Sequence, residues 1–443
     1  MKKGNAMALL PIGVFLVMYL GLGLVFEYGM KIPMGFYNVP IVAAFLVAIC
    51  TACFQNRKTS FEEKLAIMGQ GVGDKNIITM LLIFLAAGAF VGVVGRSSAQ
   101  SVAYFMLSVI PAQFAVAVLF VVSCFISTAM GTSVGTITLL TPIAVEVATA
   151  SGYAPALCIA TVVGGSMFGD NLSLISDTTI AACNGQGCQM KDKFRGNFKI
   201  ALPAALLSLV VILIMTAKET PMQIVKEYDL LLMVPYILVL VGGIAGVNVF
   251  LVLLGGILSG AVISLASGAI VPEAGQNVIS QLLKNVGANM SGMFETCMVA
   301  ILVAALCALI RADGGFDALL YFVRKVFKGK RGGQLGMGLM VAAMDVATAN
   351  NTVAIVMANP IAKDMSQDYD ITPKRAACLL DTFSCIAQGV IPYGAQLLVA
   401  VSAAAEMGYV VSAFDLIGHL YYPALLLVCS VVAIMMPEKK NPA

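Results

Sequence analysis

Apolar positions in this 443-residue chain gather into long blocks separated by short polar joints. A helix needs about 20 predominantly apolar residues to cross a bilayer core of ~30 Å, and most of the blocks approach or reach that length. They predict spans near 6–26, 38–54 and 76–94, a longer interrupted block at 112–149, and spans near 154–180 and 198–216. A second set follows near 227–244, 247–268 and 291–311, with an interrupted block at 334–366 and spans near 374–403 and 414–436. The two sets share one register. Pro142 recurs as Pro360 and Pro155 as Pro373, each 218 residues on (360 − 142 and 373 − 155). At the same offset Ile143-Ala144 falls on Ile361-Ala362, Ser166 on Ser384, and Thr132-Ser133 on Asn350-Asn351. The chain therefore reads as two repeats, 1–218 and 219–443, the organisation expected of a secondary transporter with broken helices at its centre.

Basic residues orient the repeats. Clusters stand at Lys2-Lys3, at Arg57, Lys58 and Lys64, and at Lys191, Lys193, Arg195 and Lys199. Two more lie at Arg324, Lys325, Lys328, Lys330 and Arg331, and at Lys439-Lys440. All five share the cytoplasmic side only if each interrupted block is a re-entrant hairpin that enters and leaves on one face. Each half then makes five crossings, an odd number, and the second half is inverted relative to the first. The expected fold is an all-α polytopic membrane protein of two inverted-topology repeats. Each has five transmembrane helices, one hairpin (about 112–149 and 334–366) and one broken helix (about 154–180 and 374–403). The expected location is a bacterial-type inner membrane, multi-pass, with both termini cytoplasmic. The first block, from about Ala6 to Phe26, is too long for a signal-peptide core and lacks an A-x-A site, so it reads as the first span. Residues 97–110 and 315–328, just ahead of the hairpins, read as helices lying in the membrane interface.

Composition narrows the function classes. Apolar residues are 60% of the chain and charged residues 11%, against about 25% charged in an average soluble domain. The 11 cysteines lie mostly singly inside apolar spans, and the close pair Cys183 and Cys188 has no histidine near it, the one histidine being His419. Zinc is thus disfavoured. No G-x-x-x-x-G-K-[ST] loop and no nucleophile–base pair is legible, which argues against a membrane enzyme. Neither a cofactor nor a nucleic-acid partner is expected; the surrounding partner is the lipid bilayer.

Candidate chemistry concentrates in four stretches: 128–136 (TAMGTSVGT), 164–179 (GGSMFGDNLSLISDTT), 345–352 (DVATANNT), and 381–394 around Asp381, Gln388 and Pro392. All but 345–352 set Gly or Pro beside hydroxyl, amide or carboxyl groups, and all four lie within apolar surroundings. Broken helices with polar linings are tolerated at membrane depth only where they frame a site. Small polar residues also serve merely to glue spans together; repetition at four related places, with acids among them, favours a site. Asp170, Asp177, Asp345, Asp381 and Glu295 fall at or near apolar spans, where acids are paired, protonated or functional. Asp345 reads equally as a hairpin cap near the surface, and Glu146 and Asp364 as solvated. No Lys or Arg occurs from Ser97 to Met190, and acids without an interior base favour a cation over an anion.

These residues resemble a known family. GTSVGT with Pro142-Ile143-Ala144, then FGDNLSLISDTT at 168–179, resembles the signature of NhaC-type sodium/proton antiporters of the ion transporter superfamily. Val390-Ile391-Pro392-Tyr393 resembles that family's L-I-P-W segment. Leu174 stands where the family usually has Pro, Tyr393 where it has Trp, and a histidine common after the FGD segment is missing. The resemblance implies Na+/H+ exchange on inverted repeats with an elevator-like motion. Some relatives exchange malate for lactate with the same ions, so an ion-coupled organic-acid carrier is the alternative. Elevator-type relatives are often dimers, which keeps a homodimer open.

The residues expected to bind ion or substrate are Thr132, Ser133, Asp170, Asn171, Ser173 and Asp177 from the first half. The second half contributes Asn350, Asn351, Thr352, Asp381, Thr382 and Ser384. Hard cations take oxygen ligands, which these side chains supply. Na+ is placed at Asp170 and Asp177, with Asp170 the first candidate to hold either Na+ or H+.

Overall fold

The structure is a computed structural model describing residues 4–32, 38–174, 176–218, 227–273 and 275–436, except the side chains of Glu27, Tyr28 and Asn76. The basic pairs at Lys2-Lys3 and Lys439-Lys440 lie outside the described residues. Every regular element described is a helix. The first half runs α1 (Ala6–Leu24), α2 (Ile41–Gln55), α3 (Phe61–Val72), α4 (Lys75–Val109), α5 (Ala112–Met130), α6 (Ser133–Ser151), α7 (Pro155–Leu172), α8 (Asp177–Gln186) and α9 (Met190–Ala217). The second runs α10 (Leu230–Ile244), α11 (Val249–Ala266), α12 (Val278–Gly292), α13 (Phe294–Ala312), α14 (Gly315–Val326), α15 (Gly329–Thr348), α16 (Asn351–Asp368), α17 (Pro373–Val390), α18 (Ala395–Glu406), α19 (Ala413–Ile417) and α20 (Tyr421–Met435). Nine stretches among the described residues are long and apolar enough to cross a membrane, and α2, α10 and α20 are shorter apolar helices. Several boundaries recur 218 residues apart: α7 and α17 begin and end on matching positions, and α6 and α16 begin on matching positions.

The interrupted blocks are helix–turn–helix units whose turns use the same device twice. Gly131 (φ 70°) ends α5 in the left-handed region, and Ala349 (φ 46°) does so for α15. A residue with a Cβ pays roughly 1–2 kcal/mol there, so the second turn is the more strained. The next residue caps the following helix: Gly135 N–H donates to Thr132 Oγ1 (3.4 Å), and Val353 N–H to Asn350 Oδ1 (3.0 Å). With 19 residues, α5 and α6 each extend about 28 Å, long enough to span outright. Two full crossings return the chain to the same side just as a shallow hairpin does.

The segment 97–110, expected as a helix ahead of the hairpin, is set off from the first part of α4 by a kink at Gly95, whose non-helical φ of 64° and ψ of −179° are open to glycine alone. Its counterpart 315–326 is a separate helix started by Gly314 at φ 76°. Glu146 is not solvated. It is 1% exposed and bonded to Arg96, which follows the bend and lies 5.6 Å from the Tyr409 ring. A buried carboxylate needs such a counter-charge. Asp364 does lie at the surface, 3.5 Å from Arg324.

Small residues let the first hairpin lie against α7. A Cβ on Gly165 would come within 2.6 Å of Phe120 O and 2.7 Å of Ser123 Cβ, whereas one on Gly13 would meet nothing within 4 Å. Gly165→Ala should therefore lower stability by about 1–3 kcal/mol, the usual range for overpacking, while Gly13→Ala leaves it unchanged. Thermal unfolding of the detergent-solubilised variants measures the difference; equal melting points would contradict the close packing.

Candidate ion-binding site

At the end of α7 the backbone leaves the helix: Ser173 is extended, and Ser176 caps α8 by accepting from Thr179 N–H at 3.2 Å. The freed carbonyls do not go unsatisfied. Asp170 O accepts from the Ser176 and Thr178 hydroxyls (3.1 and 3.3 Å), and Asn171 O from Lys193 Nζ and Asn197 Nδ2 (2.9 and 3.1 Å). In the second half side chains in the last turn of α17 and just beyond it serve the hairpin turn, Gln388 Nε2 donating to Ala349 O (3.1 Å) and the Tyr393 hydroxyl to Val346 O (2.6 Å).

Both turns and the α7–α8 break line one cavity of about 80 Å³. Of the residues expected from sequence, Thr132, Ser133, Asp170, Asp177, Asn350, Asn351 and Thr352 line it. Asp170 is 4% exposed; its Oδ1 accepts from the Ser133 backbone N–H at 3.1 Å and its Oδ2 has no partner. Ser133 is the first residue of α6, so the carboxyl group faces the positive end of a helix dipole. Gln396 Nε2 donates to Ser133 Oγ at 3.2 Å, leaving its own Oε1 unpartnered. Asp177, the first residue of α8, is exposed.

The remaining expected residues belong to a separate buried network. Asp381 Oδ2 accepts from Lys193 Nζ (2.8 Å), Asn197 Nδ2 (2.7 Å) and Asn171 Nδ2 (3.1 Å), and the Tyr422 hydroxyl donates to Asn171 Oδ1 (2.8 Å). Lys193 Nζ also donates to Thr179 Oγ1 at 2.6 Å. The Thr382 and Ser384 hydroxyls turn back to Cys378 O and Asp381 O within α17, and Ser173 O accepts from the Thr179 hydroxyl.

Lys193 overturns the expectation of an acidic core without a base. It is fully buried. The sequence placed it in a cytoplasmic basic cluster because Lys191, Arg195 and Lys199 surround it. The signal that separates it is helical spacing: Lys193, Asn197 and Ala201 share the buried face of α9, and the other three bases are exposed. Asp345 also resolves away from the surface, being fully buried. Sequence reading missed Asn197 and Tyr422 in the network and Gln396 beside the cavity; Thr178 and Gln388 lay in the stretches singled out but not among the residues expected to bind. Single amides and hydroxyls inside long spans carry no local pattern.

Two larger cavities approach this centre. One of about 310 Å³ is lined by Gln70, Asp74, Arg311 and Thr348, and one of about 250 Å³ by Tyr19, Glu295, Thr296 and Ser402. A narrow gap beside Met80, Thr296, Thr348 and Asn350 adjoins both and the Asp170 cavity.

The model of the Na+/H+ antiporter family matches the chain twice, over residues 7–218 and again over 216–436. A Na+/H+ antiporter NhaC of Alkalihalophilus pseudofirmus is 21% identical over 391 residues, covering 81% of this chain and 82% of that protein. An uncharacterized protein of Haemophilus influenzae is 40% identical over 86 residues, which is 19% of this chain and 16% of its own length. Among solved structures, the YdaH transporter of Alcanivorax borkumensis, described as having an unusual topology, matches 80% of this chain and 84% of its own. The identity there is 17% and the TM-score 0.40.

Lys193→Met or Asp381→Asn should each destabilise the protein by about 3–5 kcal/mol, because each strands a buried charge. The double variant removes both charges and should recover most of the loss. Thermal unfolding in detergent checks this; single and double variants of equal stability would show that the pair carries no mutual compensation.

Proposed function

The chain belongs to the Na+/H+ antiporter family, a family of membrane transporters, and on that premise we propose that it exchanges Na+ for H+ at the cavity between its two hairpin turns. Asp170 carries the reading: it borders that cavity, is almost fully buried, and has one carboxyl oxygen without a partner. Asp381 does not line that cavity and is already compensated by Lys193.

A carboxylate of this kind holds a proton or a metal ion, not both, and that competition couples the two fluxes. With Na+ bound, Asp170 supplies the charge, and oxygens of Thr132, Asn350, Asn351 and Thr352 supply neutral ligands. The Ser133 N–H and the α6 helix end stabilise the carboxylate when the ion has left. The cavity volume favours an ion over an organic acid. About 80 Å³ admits a cation and a few waters but falls well below the ~300–1,000 Å³ of typical small-molecule pockets.

Alternation of access follows from the repeats. The double family match and the shared helix register support two related halves, and an odd number of crossings in each makes them inverted. The two hairpins with α7–α8 and α17–α18 form the unit that moves in an elevator-like manner. The cavities beside Arg311 and beside Glu295, at opposite ends of α13, are the two approaches. Both termini are cytoplasmic in this arrangement.

In acid-loaded proteoliposomes Na+ alone should collapse the pH gradient, with neither malate nor lactate required. Asp170→Asn should reduce that flux to the empty-liposome background without unfolding the protein. Asn350→Ala removes one neutral ligand, worth about 1 kcal/mol, and should raise the half-saturating Na+ concentration by roughly fivefold. Silence with Na+ alone and activity only with an organic acid would replace the exchanger reading with the carrier.

A further inference from the structure

Resting on the exchanger reading, we propose that Asp345 is a second proton-carrying acid of the transport cycle, chemically separate from the Asp170 site. It lies on α15 four residues before the turn at Ala349, is 0% exposed, and neither of its carboxyl oxygens has a hydrogen-bond partner. The groups facing it are Cys385 and the Gln388 backbone of α17 and Tyr393 beyond it, while Cys307 of α13 is bonded to the neighbouring Ala347 O. None of these is a base. An ionised carboxyl group without a counter-charge is costly in a bilayer interior, so Asp345 is stable there as the protonated acid.

The repeat register supplies an independent reason to give that proton a role. Asp170 corresponds to Gln388 and Ser127 corresponds to Asp345, both at the 218-residue offset (388 − 170 and 345 − 127). In the first half the hairpin contributes a hydroxyl and the broken helix the acid. In the second the hairpin contributes the acid and the broken helix an amide. Each half thus keeps one carboxyl group at the same hairpin–broken-helix junction, on opposite partners. A purely structural junction has no need of it: Ser127 fills the equivalent place by donating to Ser166 O.

Gln388 connects Asp345 to the ion. It lines the Asp170 cavity, its Nε2 holds the turn at Ala349 O, and its Oε1 is unpartnered. When Na+ occupies the cavity, its charge makes an anion behind Gln388 tolerable. Asp345 then breaks its O–H bond and gives the proton to cavity water; when Na+ leaves, it takes a proton back. With Asp170 giving up one proton as well, each Na+ exchanges for two H+.

The test is the null point of exchange in voltage-clamped proteoliposomes, the pH gradient at which a fixed Na+ gradient drives no net flux. Wild type should balance at two protons per Na+, and Asp345→Asn and Asp345→Ser at one. The serine variant installs the residue that the first half carries in this place. Asp345→Glu should return the wild-type null point. For a variant too slow for flux, protons released per Na+ bound by the detergent-solubilised protein, counted by calorimetry in buffers of different ionisation enthalpy, should fall by one. An unchanged null point or proton count in active, folded variants overturns the proposal. Absence of any Na+-for-H+ exchange by wild type would instead overturn the reading on which it rests.

Discussion

The constraint on which the structure depends is that a helix interrupted at membrane depth must find new partners for its backbone. Lipid offers none, and each unsatisfied group costs several kcal/mol. Here the partners are side chains brought from far away in sequence. Lys193 and Asn197 of α9 hold Asn171 O, and Gln388 of α17 holds Ala349 O. Polar residues are thereby drawn to the centre of an apolar bundle for reasons of backbone satisfaction alone. Once assembled, they leave spare acceptors on Asp170, Gln388 and Gln396, and a desolvated cation requires oxygens of that kind.

Charge at the centre divides the acids into different jobs. Three acids, Asp170, Asp345 and Asp381, lie around Cys385, and among the described residues Lys193 is the base buried beside them. Lys193 is committed to Asp381, which also draws on two amides through the same oxygen. That pair locks α9 to α17 and holds the end of α7 in place. Its own net charge is near zero, so on the proposed reading it leaves the other two acids to respond to protons and Na+. Had the base been paired with Asp170 instead, the cavity would have lost the unfilled acceptor that marks it as a cation site.

Much of the fold was legible because its determinants are local or periodic. Apolar block lengths gave the spans, the recurrence of Pro142 and Pro155 gave the register, and glycine next to Thr132-Ser133 marked a turn between two helices. About half of the candidate site was legible for the same reason, since turn residues announce themselves. Contacts across the repeats were not. Asp381 and Lys193 are far apart in the chain, and four bases within nine residues look like a solvated cluster until the buried face of α9 is known. Glu146 failed similarly, because its partner Arg96 sits beyond a bend that only the conformation of Gly95 reveals.

The deeper asymmetry concerns the repeats themselves. Two halves with one register give two similar turns, each ending one helix and capping the next, and both reach the same cavity. If the side chains also matched, Gln388 would be an acid like Asp170, or Asp170 an amide like Gln388. An acid at Gln388 as well as Asp170 would add a further like charge to a small cavity that Asp177 also borders. Moving the second acid onto the hairpin, behind the Gln388 amide, removes that conflict. On the proposed reading one acid then meets the ion directly, and the other feels it only through its charge. Backbone symmetry relates the two halves, while broken chemical symmetry leaves the centre, on the reading proposed above, a single place for Na+.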